Sequence, residues 1–197
     1  NHEGEKKNIE FEPRKWNNDS SFVDLENVYL KGFNLKTKGS HVYEFQDGKF
    51  VETLYLDESI SSVLKSKMDD VRIMRSSTII KYPDLFLSKA GFSSLKQIST
   101  TNPTQKDYNW ASVELVNWKS YEGLELEGLL YKPENYDASK KYPMIVYYYE
   151  LLSEGLHNYY SPKPTASVVH PTEYASAGYF IFIPDIRYKE GHPAKSA

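Results

Sequence analysis

Gly178-Tyr179-Phe180-Ile181-Phe182-Ile183-Pro184-Asp185-Ile186-Arg187 is the stretch that decides the fold class of this chain. Residues 179–183 form a continuous run of apolar and aromatic side chains, which is typical of a strand buried on both faces of a sheet. The run is far shorter than the roughly 20 apolar residues that span a bilayer, and no run in the chain approaches that length. We therefore expect a buried strand and no membrane span.

The residues before this strand predict the beginning of an α/β sheet. Residues 171–177 predict a short helix, because Pro171 suits the first turn and Gly178 suits the position just past the end. The dense apolar and aromatic residues 143–149 predict another strand. This order of elements, a strand, a connection, a helix and a second strand, is typical of the start of an α/β sheet.

Further towards the N-terminus, the pattern of apolar and polar residues changes. Residues 112–119 and 124–131 alternate and predict two longer strands, whereas Thr100-Thr101-Asn102-Pro103-Thr104-Gln105 is polar and carries no apolar periodicity. We place a domain boundary there, between domains of residues 1–105 and 106–197.

The first domain is predicted to consist of short antiparallel strands. Asp47-Gly48 between residues 41–45 and 50–56 is a strong hairpin signal. Four more strand candidates follow about 10 residues apart, a spacing found in propeller blades; they are residues 60–64, 71–76, 84–88 and 95–99. A helix over residues 58–68 is the competing interpretation, and residues 1–27 are expected to be irregular.

Composition and motifs exclude several classes of function. The 197 residues contain 24 Lys+Arg and 27 Asp+Glu, a net charge of −3, so electrostatic binding of nucleic acid is not expected. Cysteine is absent, and the five His show no metal-ligand spacing. The dinucleotide and P-loop glycine motifs and Gly-x-Ser-x-Gly are also missing. We expect no cofactor and no metal, and we interpret the chain as a piece of a longer protein because neither end looks native.

The second half nonetheless resembles the start of the catalytic domain of prolyl oligopeptidase-family serine peptidases, most closely the dipeptidyl peptidase IV-like group. The similarity runs in order through Trp118-Lys119-Ser120-Tyr121-Glu122-Gly123-Leu124-Glu125-Leu126-Glu127-Gly128-Leu129-Leu130-Tyr131-Lys132-Pro133, Lys140-Lys141-Tyr142-Pro143-Met144-Ile145-Val146 and residues 178–187. Residues 83–88 and 98–110 resemble the closing blade of the family's propeller.

The resemblance implies the tail of a β-propeller followed by the N-terminal part of an α/β-hydrolase sheet. Residues 1–105 then belong to the propeller and residues 106–197 to the catalytic domain. In this fold the triad follows in the order Ser, Asp, His, and all three come later in the chain. We therefore expect no nucleophile and no triad here, and no activity from the chain alone.

One catalytic element is implied within the chain. In the dipeptidyl peptidase IV-like group, a Tyr at the end of the third hydrolase strand donates its hydroxyl to the oxyanion, and Tyr149 aligns with it. The alternative is that Tyr149 only packs against the sheet, as is expected of Tyr147 and Tyr148.

Two further residues match the family's Asp-x-Arg element. Asp185 and Arg187 are expected to hold the loop beside the active site, through an ion pair or through backbone bonds. The chain departs from the family's pattern at Tyr188, where a Gly is expected, and after Tyr149, where Glu150-Leu151-Leu152-Ser153-Glu154-Gly155 replaces a loop that often contains Gly and Pro.

The implied function is a serine exopeptidase that removes dipeptides or tripeptides from the N-terminus of peptide substrates. The alternatives are a β-rich module that binds protein or glycan without catalysis, and a non-peptidase esterase of the same fold. The resemblance favours a periplasmic or secreted location. Because the predicted sheets have unpaired edges, we expect a homo-oligomer or association with the remainder of the protein.

Overall fold

The computed structural model describes residues 2–16, 25–89, 91–163, 165, 167–188 and 190–192. The chain divides into two compact units, Asn1–Thr101 and Asn102–Ala197. Within the described residues strands are the predominant regular elements of both units, and none of the sheets closes on itself.

The first unit contains a short helix and two successive four-stranded antiparallel sheets with strand orders β1-β2-β3-β4 and β5-β6-β7-β8. Its elements are α1 (Glu3–Lys7), β1 (Ile9–Lys15), β2 (Val28–Asn34), β3 (Ser40–Gln46), β4 (Lys49–Leu56), β5 (Ser59–Lys65), β6 (Val71–Ser77), β7 (Asp84–Lys89) and β8 (Ser94–Gln97). Successive four-stranded antiparallel sheets are the arrangement of propeller blades.

The prediction of an irregular segment over residues 1–27 was wrong for α1 and β1. β1 pairs with β2 along its whole length, from Ile9 opposite Asn34 to Lys15 opposite Val28. The strand is hard to recognise in the sequence because it lies at the edge of its sheet, where charged side chains and Pro13 are tolerated. Residues 17–24 lie outside the described part of the chain.

The predicted hairpin is confirmed by strands β3 and β4. Gln46 pairs with Lys49 across a two-residue turn, in which Asp47 and Gly48 have φ of 49° and 79°. Positive φ at both central residues is the type I′ geometry that favours Asp-Gly.

The competition between strand and helix over residues 58–68 is resolved in favour of a strand. β5 pairs with β6, and its register shifts between Ile60 and Ser62. This bulge adds one residue, so Ile60 and Val63 are both buried although they are three residues apart. Their helix-like spacing therefore has its origin in a β-bulge.

The core of the first unit contains side chains from both sheets. The cluster consists of Trp16, Tyr29, Val42, Leu54, Ile60, Val63, Met74, Phe86 and Phe92. A hydrogen bond also joins the two sheets: the backbone amide of Ile60 in β5 donates to the side-chain oxygen Oγ of Ser40 in β3 at 3.0 Å.

The second unit forms a mixed sheet with the strand order β11-β12-β10-β9, in which only the β11–β12 pair is parallel. Its elements are β9 (Ala111–Lys119), β10 (Glu125–Pro133), β11 (Met144–Val146), α2 (Pro171–Ser176) and β12 (Phe180–Pro184). Two antiparallel strands followed by a parallel pair with a helix in the connection match the start of an α/β-hydrolase sheet.

The strand and helix predicted around Gly178 are confirmed. Ile181 is fully buried in β12, which lies between β10 and β11. Pro171 occupies the first turn of α2, and Gly178 follows the helix with φ of 92°. The strand predicted over residues 143–149 is shorter and spans Met144–Val146.

Candidate active site

The candidate site lies where the parallel strands β11 and β12 end at the same edge of the sheet. Val146 pairs with Phe182, and the Tyr147 amide continues the ladder by donating to the Phe182 carbonyl at 3.0 Å. Residues 147–155 and 185–188 then extend past the strand ends. In α/β sheets, the carboxyl ends of the strands are where ligands bind.

Backbone hydrogen bonds tie the residues after β12 to their neighbours. The Asp185 amide donates to the Glu127 carbonyl of β10 at 2.9 Å, and the Ile186 amide donates to the Glu150 carbonyl at 3.1 Å. The segment that follows β12 is thereby fixed between β10 and the residues after β11.

Tyr149 lies in a bend three residues after β11, and 62% of it is exposed. Its carbonyl accepts a hydrogen bond from the Tyr188 hydroxyl. Tyr148 is 56% exposed, whereas Tyr147 is half-buried. Tyr149 is thus accessible to solvent at the carboxyl edge of the sheet.

Asp185 is 5% exposed, and both of its carboxylate oxygens accept hydrogen bonds from the same residue, Ser153. Ser153 donates its amide to Oδ1 at 2.8 Å and its hydroxyl to Oδ2 at 2.6 Å. Ser153 is itself 2% exposed and begins the 3₁₀ turn Ser153–Gly155. A buried carboxylate needs such partners, and hydrogen bonds to an ionised acceptor are the stronger ones.

Arg187 occupies a different environment. Its side chain is exposed and lines a cleft of about 260 Å³ together with Asn117, Glu125, Leu126, Glu127, Leu151 and Asp185. The Asp185 carboxylate accepts its hydrogen bonds from Ser153. The segment that follows β12 is therefore held by Ser153 and by the backbone bonds of the Asp185 and Ile186 amides. The structure places Asp185 and Tyr149 on connected segments, and it places Arg187 on the cleft wall.

Ser153 and Tyr188 were not recognised from the sequence as residues of this region. Each bonds to a partner more than 30 residues away, with separations of 32 and 39 positions. The sequence offered only a weak indication of their roles, namely that both lie where the chain departs from the family's pattern. Ser153 lies in the loop that follows Tyr149, and Tyr188 stands where the family has a Gly.

A second and larger cleft of about 510 Å³ lies elsewhere in this unit. It is lined by the neutral side chains Asn102, Gln105, Tyr108, Asn109, Trp110, Tyr159, Ser161, Pro162 and Ser176. Trp110 and Tyr159 stack with ring centroids 5.6 Å apart, and the Tyr159 hydroxyl donates to Gln105 Oε1 at 2.9 Å.

Metal and membrane sites were also sought in the described residues. Within that part of the chain, no group of three or more His, Asp or Glu side chains is arranged to hold a metal ion. Among the same residues, no helix has the length and apolar character needed to cross a membrane.

Known proteins similar to the chain were found among solved structures. No protein-family model and no curated protein matches it. It is similar to an acylaminoacyl peptidase from Pyrococcus horikoshii, with 21% identity and a TM-score of 0.54 over 81% of this chain and 23% of that chain.

Two other solved structures show the same likeness. Porphyromonas gingivalis dipeptidyl peptidase 4 has 17% identity and a TM-score of 0.60 over 91% of this chain and 25% of that chain. The isopeptidase AtxE2 has 14% identity and a TM-score of 0.53 over 94% of this chain and 25% of that chain. The chain therefore spans about a quarter of the length of these peptidases. The resemblance seen in the sequence is confirmed at the level of the fold, which is similar to that of a segment of each of these three peptidases.

Proposed function

We propose that this chain is part of a serine exopeptidase of the prolyl oligopeptidase family, and that it supplies Tyr149 to the active site. In this proposal residues 1–105 belong to a propeller and residues 106–197 begin the catalytic domain. The observation that carries the proposal is the exposed Tyr149 at the carboxyl edge of a sheet whose fold is found in peptidases.

The proposed chemistry is acyl transfer. A serine hydroxyl supplied by the rest of the protein attacks the peptide carbonyl, the C–N bond breaks, and water then releases the acyl group. Negative charge develops on the carbonyl oxygen in both steps, and the Tyr149 hydroxyl donates a hydrogen bond to it. One such donor contributes about 3 kcal/mol to transition-state stabilisation.

The substrate proposed is a peptide with a free amino terminus, from which a dipeptide or tripeptide is removed after Pro or Ala. The whole protein is expected to hydrolyse a dipeptidyl p-nitroanilide and to leave the amino-terminally acetylated form intact. The 197-residue chain alone is expected to hydrolyse neither, since it provides Tyr149 without the triad.

The assay needs a serine-directed phosphonate as its control. Turnover by the isolated chain that the phosphonate abolishes would contradict the assignment of the nucleophile to another part of the protein. Hydrolysis of esters without any anilide hydrolysis would instead favour an esterase of this fold.

A binding module without catalysis is the second candidate. The observation that favours it is the neutral cleft at Trp110 and Tyr159, because aromatic rings with neutral amides and hydroxyls suit an uncharged peptide or glycan. The coding sequence separates the two candidates: an enzyme requires Gly-x-Ser-x-Gly within about 60 residues after Ala197, following the fourth hydrolase strand.

A further inference from the structure

We infer that Tyr188 and the Ser153–Asp185 pair are positioning residues that hold the backbone of Tyr149 in place. The inference rests on the proposed role of Tyr149. It adds Tyr188 and Ser153, which the resemblance does not supply, to Asp185, for which the resemblance implies a loop-holding role. Tyr188 stands where the family has a Gly, and Ser153 lies in the loop that differs from the family's loop.

Tyr149 depends on its backbone for its position. Its side chain is 62% exposed, so packing against the sheet does not fix the ring. β11 has ended at Val146, and the backbone at Tyr149 is a bend outside the β-ladder. The position of the Tyr149 backbone, from which the side chain extends, is therefore set by whatever restrains residues 147–153.

The nearest restraint on Tyr149 comes from Tyr188. The Tyr188 hydroxyl donates to the Tyr149 carbonyl, which gives a direct bond to the residue itself. A Gly at position 188 has no side chain to make this bond. Tyr188, one of the chain's departures from the family's pattern, thus bonds to the residue that immediately precedes the other departure, the loop that begins at Glu150.

The second restraint comes from the Ser153–Asp185 pair. Both residues are almost fully buried, and two hydrogen bonds of 2.8 and 2.6 Å join them. Between the pair and Tyr149, the Glu150 carbonyl accepts from the Ile186 amide at 3.1 Å. Before Tyr149, the Tyr147 amide is bonded to Phe182 at 3.0 Å. Tyr149 is therefore tied on one side to β12 and on the other side to the segment that follows β12.

A double-mutant cycle in the whole protein tests whether Tyr188 acts through Tyr149. Displacement of a catalytic group by about 1 Å can cost up to about 100-fold in rate. We expect Tyr188→Phe to lower kcat by roughly 10-fold to 100-fold with KM nearly unchanged. In a Tyr149→Phe background the same substitution should change kcat by less than about twofold, because the group that it positions is gone.

Amide hydrogen exchange of the 197-residue chain provides a readout that does not depend on activity. Tyr188→Phe and Ser153→Ala are each expected to speed exchange at the Ile186 amide, whose acceptor is the Glu150 carbonyl. Tyr121→Phe is the matched control, because Tyr121 is fully exposed on the β9–β10 turn. It should change neither exchange nor kcat, and circular dichroism of each variant checks the fold.

The outcomes separate the inference from the proposed function. If Tyr149→Phe leaves kcat unchanged while Tyr188→Phe speeds exchange, the catalytic role of Tyr149 fails and the restraint on its backbone stands. If Tyr149→Phe lowers kcat but Tyr188→Phe lowers it equally in both backgrounds, or not at all, the positioning role is overturned. Unchanged exchange in Tyr188→Phe and Ser153→Ala overturns it as well.

Discussion

Among the 197 residues of this chain, Tyr149 is the residue whose substitution has the largest expected effect on catalysis. Tyr149→Phe removes one hydrogen-bond donor to the oxyanion and leaves the ring in place. The whole protein should then lose about 100-fold to 1000-fold in kcat with a dipeptidyl p-nitroanilide, as other enzymes do when one such donor is removed. KM should change little, because the bond forms mainly in the transition state.

The neighbouring Tyr148 supplies the matched control for this experiment. It is also exposed, at 56%, and nothing assigns it a catalytic role. Tyr148→Phe should retain kcat within about twofold. Because Phe keeps the aromatic ring, an unchanged kcat in Tyr149→Phe would favour the alternative left open by the sequence, that Tyr149 only packs against the sheet, and equal losses in the two variants would contradict a specific role of the Tyr149 hydroxyl.

A buried ion pair in the first unit allows a prediction about stability. Arg72 and Glu44 are joined at 2.5 Å with side-chain exposures of 3% and 7%. The guanidinium also lies over the rings of Trp16 and Phe92, at 5.8 and 5.4 Å from their centroids. Arg72→Met leaves the Glu44 carboxylate buried without its cation and should lower the free energy of unfolding by about 3–5 kcal/mol.

Urea unfolding of the 197-residue chain measures this loss. The double variant Arg72→Met with Glu44→Leu is the control, because removing both charges is often far less costly than removing one. A single variant as stable as the double variant would contradict the explanation by an uncompensated buried charge.

Asp84 should make stability depend on pH in the acid range. Burial raises the pKa of its carboxyl, but hydrogen bonds from Ser99, Thr101 and Gln97 outweigh this effect and hold the pKa below its usual range. A lowered folded-state pKa adds stability that is present above the unfolded value of about 3.9 and is lost as the pH falls through the folded value.

Comparison with Asp84→Asn isolates this contribution. The variant should be less stable than the parent chain at pH 7, and the difference in unfolding free energy should shrink as the pH falls below about 4. A difference that stays constant between pH 7 and pH 3 would contradict the assignment to Asp84.

Local residue patterns could predict which residue types lie near the site, but they could not predict the partners. Tyr149 and Asp185 were found by aligning their strands with a family pattern. Ser153 could not be found in this way, since no spacing in the sequence encodes a side-chain bond across 32 positions. The same holds for the Tyr188 hydroxyl and for the pair of Arg72 and Glu44.

Strands were predictable where burial of one or both faces requires an apolar run or an alternation of apolar and polar residues in the sequence. β12 and the β3–β4 hairpin follow from apolar runs and from Asp-Gly. β1 was missed because an edge strand has fewer apolar requirements, and β5 was ambiguous because a bulge gives it a helix-like spacing. These exceptions have local causes, and they leave the order of strands unchanged.

β11 is the strand whose edge predicts association. It ends the sheet of the second unit in the described residues, and Met144, Val146 and Tyr148 are each more than half exposed. An unpaired apolar edge favours pairing with another chain, and Lys on such a strand opposes it. We expect the 197-residue chain to self-associate and Val146→Lys to shift it towards the monomer.

Light scattering over a range of concentrations measures the shift. Val168→Lys is the control, because Val168 is similarly exposed, at 48%, and lies outside the strands. A chain that stays monomeric at high concentration would count against the proposal, and so would equal association of the two Lys variants.

The chain is similar in fold to about a quarter of each of three peptidases, with 81–94% of its residues covered. This agrees with the ordered series of family-like segments in the sequence, although identities of 14–21% support the fold alone. We accordingly propose the peptidase activity for the whole protein, and we propose Tyr149 and the residues that restrain it as this chain's contribution.

We propose above all that the nucleophile is a serine elsewhere in the protein, and that Tyr149 donates a hydrogen bond to the oxyanion formed by its attack. Labelling the whole protein with a fluorophosphonate, followed by peptide mass spectrometry, tests this claim most directly. We predict one modified serine, located after Ala197 within Gly-x-Ser-x-Gly, and complete loss of dipeptidyl anilide hydrolysis upon labelling. Absence of labelling, or labelling of a serine within residues 1–197, would contradict the claim.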